Sequence, residues 1–212
     1  MKINFDIFKK IEKTSSHIVV VTKYFDTQIT KKILEQVQTQ KSFLALGENR
    51  IKIIQNKNIE REKMHFIGNI QSRKIPEIIK FCNTIHSLYS LRHAELINNF
   101  IEQNQNLGIE KLPVFVQINI SQEIQKSGVE IKKIDQFLKN LEELSCIEII
   151  GISAIGAAKF TVTEKIKEFQ ALKKIRDKYL PGKKISAGTS RDYEIALKEG
   201  IEIVRVGNAI FE

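Results

Sequence analysis

The chain has 212 residues, 42% of them hydrophobic, a formal net charge of +9 and two cysteines. That length buries a real core, two cysteines without CxxC spacing exclude a disulfide framework or zinc knuckle, and no apolar run reaches the roughly 20 residues of a membrane-spanning helix. The positive charge would suit nucleic acid, but the lysines are spread among glutamates along the whole chain without an arginine–aromatic cluster, so no nucleic-acid partner is expected.

The opening Met1–Asp6 lacks the layout of a secretory signal, and cytoplasmic residence without a membrane partner follows as the expectation. A helix over Asn4–Lys13 comes first. The first strand is His17–Thr22, whose β-branched run "HIVVVT" ends at Lys23. Thr27–Gln38 then places Ile29, Ile33, Leu34 and Val37 on one helical face. Strand Phe43–Leu46 leads to a short helical segment at Arg50–Gln55, strand Met64–Ile67 to Gln71–Phe81, and strand Thr84–His86 to a helix at Ser90–Gln105. Strand Val114–Asn119 precedes Ile131–Leu144, and Ile149–Ser153 precedes Thr163–Tyr179. Lys184–Ala187 precedes Arg191–Lys198, and Ile203–Val206 is the last strand. Several strands are short continuous apolar runs, as parallel strands buried on both faces require. Cys82 and Cys146 lie among apolar residues and read as buried thiols.

Eight strand–helix units predict an α/β fold, a single-domain (β/α)₈ TIM barrel over residues 1–212. The sequence stops soon after the eighth strand, and the leading helix is expected to cover the gap of a final one. A doubly wound open sheet is the rival, but no GxGxxG follows the first strand. In such barrels the site lies at the C-terminal strand ends. Lys23 ends the first strand there. "SAGTSRDYE" after the seventh offers Gly188, Thr189 and Ser190, with Ser190 a candidate helix N-cap. "VGNAIF" after the eighth offers Gly207 and Asn208. Loops seven and eight are where these barrels hold phosphate; two ordinary caps are the bland alternative. A lysine, a phosphate site and Arg205 between them suit a phosphorylated aldehyde bound as a Schiff base, of which pyridoxal 5'-phosphate (PLP) is the obvious case, with Arg205 donating to its ring nitrogen. "KSGV" at Lys126–Val129 lacks the first glycine of a P-loop. His17, His65, His86 and His93 lack metal-ligand spacing, so no metal is expected. His65 at the head of the third strand is the histidine to watch, with a core or strand-end role expected ahead of a catalytic one.

The stretches "VVVTKY", "LGENRIK", "HFIGNIQSRKI", "IHSLYSL", "VQINISQEIQKSGV", "GISAIG", "SAGTSRDYEIALKEG" and "VRVGNAIF" run nearly end to end. In them the sequence resembles the YggS/PROSC family of pyridoxal phosphate homeostasis proteins. The resemblance implies an alanine-racemase-like barrel with PLP on Lys23, Asn49 near the cofactor, Arg205 by its ring nitrogen, and Ser190, Gly207 and Asn208 around its phosphate. This sequence departs from the family at Thr189, where methionine is usual, and at Asn208, where threonine is usual. The stretch "GISAIGAAKFTVTEK" is shorter than the family's and lacks its proline-rich loop.

The expected function is a PLP-binding protein of vitamin B6 homeostasis without an established reaction, its partners PLP and PLP-dependent apo-enzymes. A racemase of this barrel type needs a second, β-rich domain that supplies a tyrosine acid/base, and none is expected here. The alternative is a PLP-dependent enzyme of racemase-like type, with Tyr24 or His65 as its acid/base. A basic RNA-associated protein is the third reading, to be told apart by steep salt dependence. No long coiled-coil repeat argues for assembly, and a monomer is expected.

Overall fold

The computed structural model describes residues 2–121, 127–156 and 161–211. Lys126 and part of the shortened loop after the sixth strand, both noted in the sequence, lie outside the described residues. Eight parallel strands pair in chain order and close on themselves: β1 (His17–Val21), β2 (Phe43–Glu48), β3 (Met64–Phe66), β4 (Thr84–Leu88), β5 (Leu112–Gln117), β6 (Ile147–Ser153), β7 (Lys184–Ser186) and β8 (Ile203–Val206). The helices are α1 (Phe5–Glu12), α2 (Thr27–Val37), α3 (Ile51–Lys57), α4 (Ile75–Phe81), α5 (Leu91–Gln103), α6 (Ile134–Glu142), α7 (Val162–Tyr179) and α8 (Tyr193–Lys198). This is the expected (β/α)₈ barrel. No helix among the described residues is long and apolar enough to cross a membrane.

Successive side chains on a strand face opposite sides, so each buried strand feeds two cores. Val19, Phe115 and Ile203 form a small inner cluster with Leu44, Ile67 and Ile150. Their neighbours Ile18, Val20, Val114, Val116 and Val204 belong to the large outer cluster beneath the helices. Cys82 and Cys146 are both free thiols and both buried in it. Capping sets several helix starts. Asp26 accepts from the Ile29 N–H and Ser90 from the His93 N–H, and Thr161 with Glu164 forms a reciprocal capping box.

The barrel closes where β1 meets β8, with His17 opposite Ile203 and Val20 opposite Val206. Helix α1 takes the place expected of it around the ring. Phe8 and Ile11 are fully buried, Lys10 pairs with Glu194 of α8 at 2.8 Å, and the Asn4 N–H donates to the Ile210 carbonyl at 2.8 Å.

Strand β2 runs two residues further than its apolar pattern indicates, through Gly47 to Glu48. Glu48 is fully buried and meets the ammonium of Lys57, which is also buried and comes from the last turn of α3. Lys57 also donates to the Thr22 carbonyl at 2.8 Å, and Thr22 Oγ1 donates to Glu48 Oε1 at 2.9 Å. Burial pulls the Lys57 amine below its ordinary value and Glu48 opposes that. The charges therefore hold each other, and together they clamp the end of β1, one residue before Lys23. Removing one partner leaves the other buried and uncompensated. Lys57→Met is expected to lower the unfolding free energy by about 3–5 kcal/mol, and the double replacement Lys57→Met with Glu48→Leu to recover much of it. Urea denaturation of the two variants checks this.

Candidate functional site

At the C-terminal mouth of the barrel, Lys23, Asn49, Thr189, Ser190, Arg205, Gly207 and Asn208 line one cavity of about 360 Å³. Val21, Tyr24, Ile67, Ile155 and Arg191 complete its wall. Lys23 follows the clamped end of β1 and is half-buried. Its ammonium lies 4.9 Å from the ring centre of Tyr24, which is 69% exposed. That is a cation–π distance. Asn49 follows Glu48 directly, and its Oδ1 is buried without a hydrogen-bond partner among the described residues. Gly68 lets the third strand pass close by it, because a Cβ there would lie 2.2 Å from the Asn49 carbonyl oxygen.

The loops after β7 and β8 are stitched together by one hydroxyl. Ser190 Oγ accepts from the Gly207 N–H at 3.1 Å and from the Ala209 N–H at 3.4 Å. Ser190 was expected to cap the next helix, and it does not. Helix α8 is six residues long and starts at Tyr193, with Asp192 ahead of it. Asp192 Oδ1 instead accepts from the N–H and the hydroxyl of Thr189, at 2.7 and 2.9 Å, and Lys165 of α7 reaches Asp192 Oδ2 at 3.3 Å. The Gly207 and Ala209 N–H groups are thus taken up by the Ser190 hydroxyl oxygen, and Ser190 lies ahead of α8 without capping it. Gly188 lies outside the main cavity and lines an adjoining one of about 230 Å³ with Ala154, Gly156 and Asp192. Its φ of +89° and a Cβ position only 2.7 Å from Ala196 Cβ both call for glycine. Its carbonyl accepts from the Arg205 N–H at 2.9 Å.

Arg205 points into the barrel and is held by three acceptors. Nη1 donates to the Ser186 carbonyl at 2.6 Å and to Ser186 Oγ at 2.8 Å, and Nη2 donates to the Ala154 carbonyl at 2.9 Å. Burial pushes its pKa down to about 10, so it stays charged at neutral pH. Behind Ser186 lies a pair of buried histidines. His86 Nδ1 is 2.9 Å from Ser186 Oγ, and His86 Nε2 is 2.9 Å from His65 Nδ1. His86 stacks on Phe115 with ring centres 4.5 Å apart. Burial pushes His65 down to about 3. Burial, then His65 and Arg205, lower His86 well below its ordinary value. His65 does not line the main cavity. It lines a second one of about 390 Å³ at the opposite, N-terminal end of the barrel, with Leu44, Phe115, Ile150 and Ile203.

With this geometry in view, the comparisons with known proteins are specific. A family model for the alanine racemase N-terminal domain matches residues 2–212. The chain belongs to that family. The pyridoxal phosphate homeostasis protein of Buchnera aphidicola subsp. Baizongia pistaciae is 28% identical over 227 residues, covering 98% of this chain and 99% of its own. The Escherichia coli K12 protein of the same name is 28% identical over 183 residues, covering 83% of this chain and 75% of its own. Among solved structures, PipY of Synechococcus elongatus with PLP bound superposes with a TM-score of 0.80 at 20% identity, covering 99% of this chain and all of that one. The likeness to the pyridoxal phosphate homeostasis proteins expected from the motifs is therefore present across the chain.

Sequence reasoning missed Thr22, Glu48, Lys57, Ser186, His86, Asp192 and Lys165, all of which support the lining residues. Ser186 and Arg205 stand at inward positions of adjacent strands, which the two-residue strand period would have revealed. The rest come together only in three dimensions.

The two inner histidines make stability depend on pH. Near pH 5 the unfolded chain protonates its histidines, whereas His65 and His86 stay neutral in the fold. Unfolding then takes up protons, so their contribution is full above about pH 6.5 and is lost as pH falls, for His65 toward about 3. Each histidine adds a slope of up to about 1.4 kcal/mol per pH unit within that window. Thermal unfolding at pH 5, 6 and 7 is expected to show a falling midpoint at lower pH, and His65→Asn to flatten the slope.

Proposed function

We propose that the mouth cavity binds PLP, that Lys23 carries it as a Schiff base, and that the chain serves intracellular PLP homeostasis as a holder of the cofactor. The observation that carries this reading is one cavity lined by an amine, a buried cation and a serine hydroxyl that is tied between the two loops. An aldehyde-bearing, phosphorylated heteroaromatic ring matches each of them. Cavities of about 300–1,000 Å³ are usual for small ligands, and this one lies within that range. PLP-dependent apo-enzymes are the proposed recipients, in a cytoplasmic setting and with the chain as a monomer.

The residues divide the work. The Lys23 amine would hold the cofactor through its aldehyde group. Ser190 and Asn208, with the neighbouring Thr189 and the turn at Gly207, would hold the phosphate, and Gly188 lets the seventh loop turn beside it. Arg205 has Nη1 and Nη2 committed to protein acceptors and, among the described residues, no protein partner at Nε. That donor is proposed for the ring nitrogen. The unpartnered Asn49 Oδ1 is an acceptor for a ligand hydroxyl. Bound PLP supplies an electron sink, and a permanent cation at its nitrogen keeps that sink weak by opposing ring protonation. This favours holding the cofactor over turning it over.

Of the two acid/base candidates for a racemase-like enzyme, Tyr24 stands beside Lys23, whereas His65 lines the far cavity. Exchange of an amino-acid α-proton with solvent, lost in Tyr24→Phe, would favour that reading.

The purified protein loaded with PLP is expected to show a visible band that borohydride fixes covalently, and Lys23→Ala to show neither. A Lys23→Ala variant that keeps the band and the covalent label after reduction overturns the assignment. Ser190→Ala is expected to weaken PLP binding about 10-fold or more, as loss of a hydrogen bond to a charged group does. Equilibrium dialysis measures it.

A further inference from the structure

Four polar side chains run in line through the inside of this barrel, from β3 through β4 and β7 to β8. His65, His86, Ser186 and Arg205 are each at most 7% exposed, and His86 and Ser186 lie 100 residues apart in sequence. A buried polar group needs a partner, and here the partners fix the direction of every hydrogen bond. Arg205 is a donor only, so Ser186 Oγ accepts from it at 2.8 Å. The Ser186 O–H must then donate, and the acceptor it meets is His86 Nδ1 at 2.9 Å. That leaves the proton of neutral His86 on Nε2, which donates to His65 Nδ1 at 2.9 Å. His65 in turn carries its proton on Nε2. That nitrogen has no protein partner among the described residues, and its ring lines the lower cavity.

We propose that Ser186, His86 and His65 are positioning residues for Arg205: a one-directional hydrogen-bond string that locks its guanidinium at the mouth cavity and ends on a His65 Nε2–H donor at the opposite end of the barrel. Every dipole in the string turns its negative end toward the guanidinium, so the string stabilises that buried cation as well as orienting it. The stacking of His86 on Phe115 and the pairing of Ser186 with Ile203 across β7 and β8 keep the middle links in register. Turning His86 to its other tautomer sets an N–H against the Ser186 hydroxyl that already accepts from Arg205, and turning His65 alone sets its Nδ1–H against the His86 Nε2–H. The string therefore has one satisfied arrangement, and it is the one with both rings neutral. The lowered proton affinity of the two rings agrees with it.

Ring-nitrogen NMR of histidine-labelled, ligand-free protein tests the string directly. The expected result at pH 7 is two neutral Nε2–H histidines with a through-hydrogen-bond nitrogen–nitrogen coupling between them. A cationic ring, or an Nδ1–H tautomer at His65 or His86, overturns the proposal. This measurement needs no ligand, so it stands or falls independently of the PLP reading. The second measurement rests on that reading. Ser186→Ala and His86→Leu are expected to weaken PLP about tenfold, the lower end of what second-layer support of a ligand-holding group is worth. Both are also expected to move the pH midpoint of the PLP visible band. Ser186→Thr, which keeps the hydroxyl, is expected to restore both. A folded Ser186→Ala protein with unaltered affinity and midpoint overturns the role assigned to Arg205's support, whether or not His86→Leu folds.

Discussion

The register of one parallel ladder, β1 against β8, governs the placement of everything chemical in this protein. Val20 pairs with Val206, so the next residues along the two strands bring Val21 beside Gly207, where a Cβ would lie 3.2 Å from the Val21 backbone oxygen. Lys23 and the Gly207–Asn208 turn therefore share one wall although they are joined only at the seam of the ring. A slip of one residue would reverse the facing of all β8 side chains. Arg205 would then sit among the apolar contacts of the outer cluster, and Val204 would face the inner space.

The fold handles buried charge in two ways. Between strand and helix, Glu48 at the end of β2 and Lys57 at the end of α3 neutralise each other and take the Thr22 hydroxyl and carbonyl into the same knot. Inside the barrel, Arg205 makes no ion pair among the described residues and is held by two carbonyls and a hydroxyl. The first arrangement is symmetric in charge and secures a strand end. The second leaves a net positive charge facing the mouth cavity, which is an asymmetry suited to an electron-rich ligand.

Much of the architecture was legible because parallel strands buried on both faces are largely apolar, and "IVVV" and "VFV" say so without ambiguity. The end of β2 was not legible. Glu48 reads as the start of a loop until Lys57, nine residues on, is seen to reach it. The start of β5 was hidden by Pro113, which argues against a strand interior but is tolerated in the first residues of one. In the site, the lysine, arginine and loop glycines stood out through their place at strand ends. Ser190 was found but given the wrong partner, because a serine three residues ahead of a helix looks like a cap until a neighbouring loop offers two N–H groups. His65 and His86 were each visible, and their pairing was not, since no sequence spacing marks contacts across the inside of a barrel.

The Ser190 hydroxyl bridges two loops that sequence places 17 residues apart. Two flexible segments are thereby held at a fixed separation by the protein itself. Ordering interface groups opposes binding by roughly 0.5–1.5 kcal/mol for each rotamer-rich side chain immobilised, and a corner already tied together avoids much of that entropy loss. Such preorganisation slows departure more than it hastens arrival. On the proposed reading, a holder of a reactive aldehyde would gain residence time from this tie, and Ser190 is the knot whose loosening would shorten it.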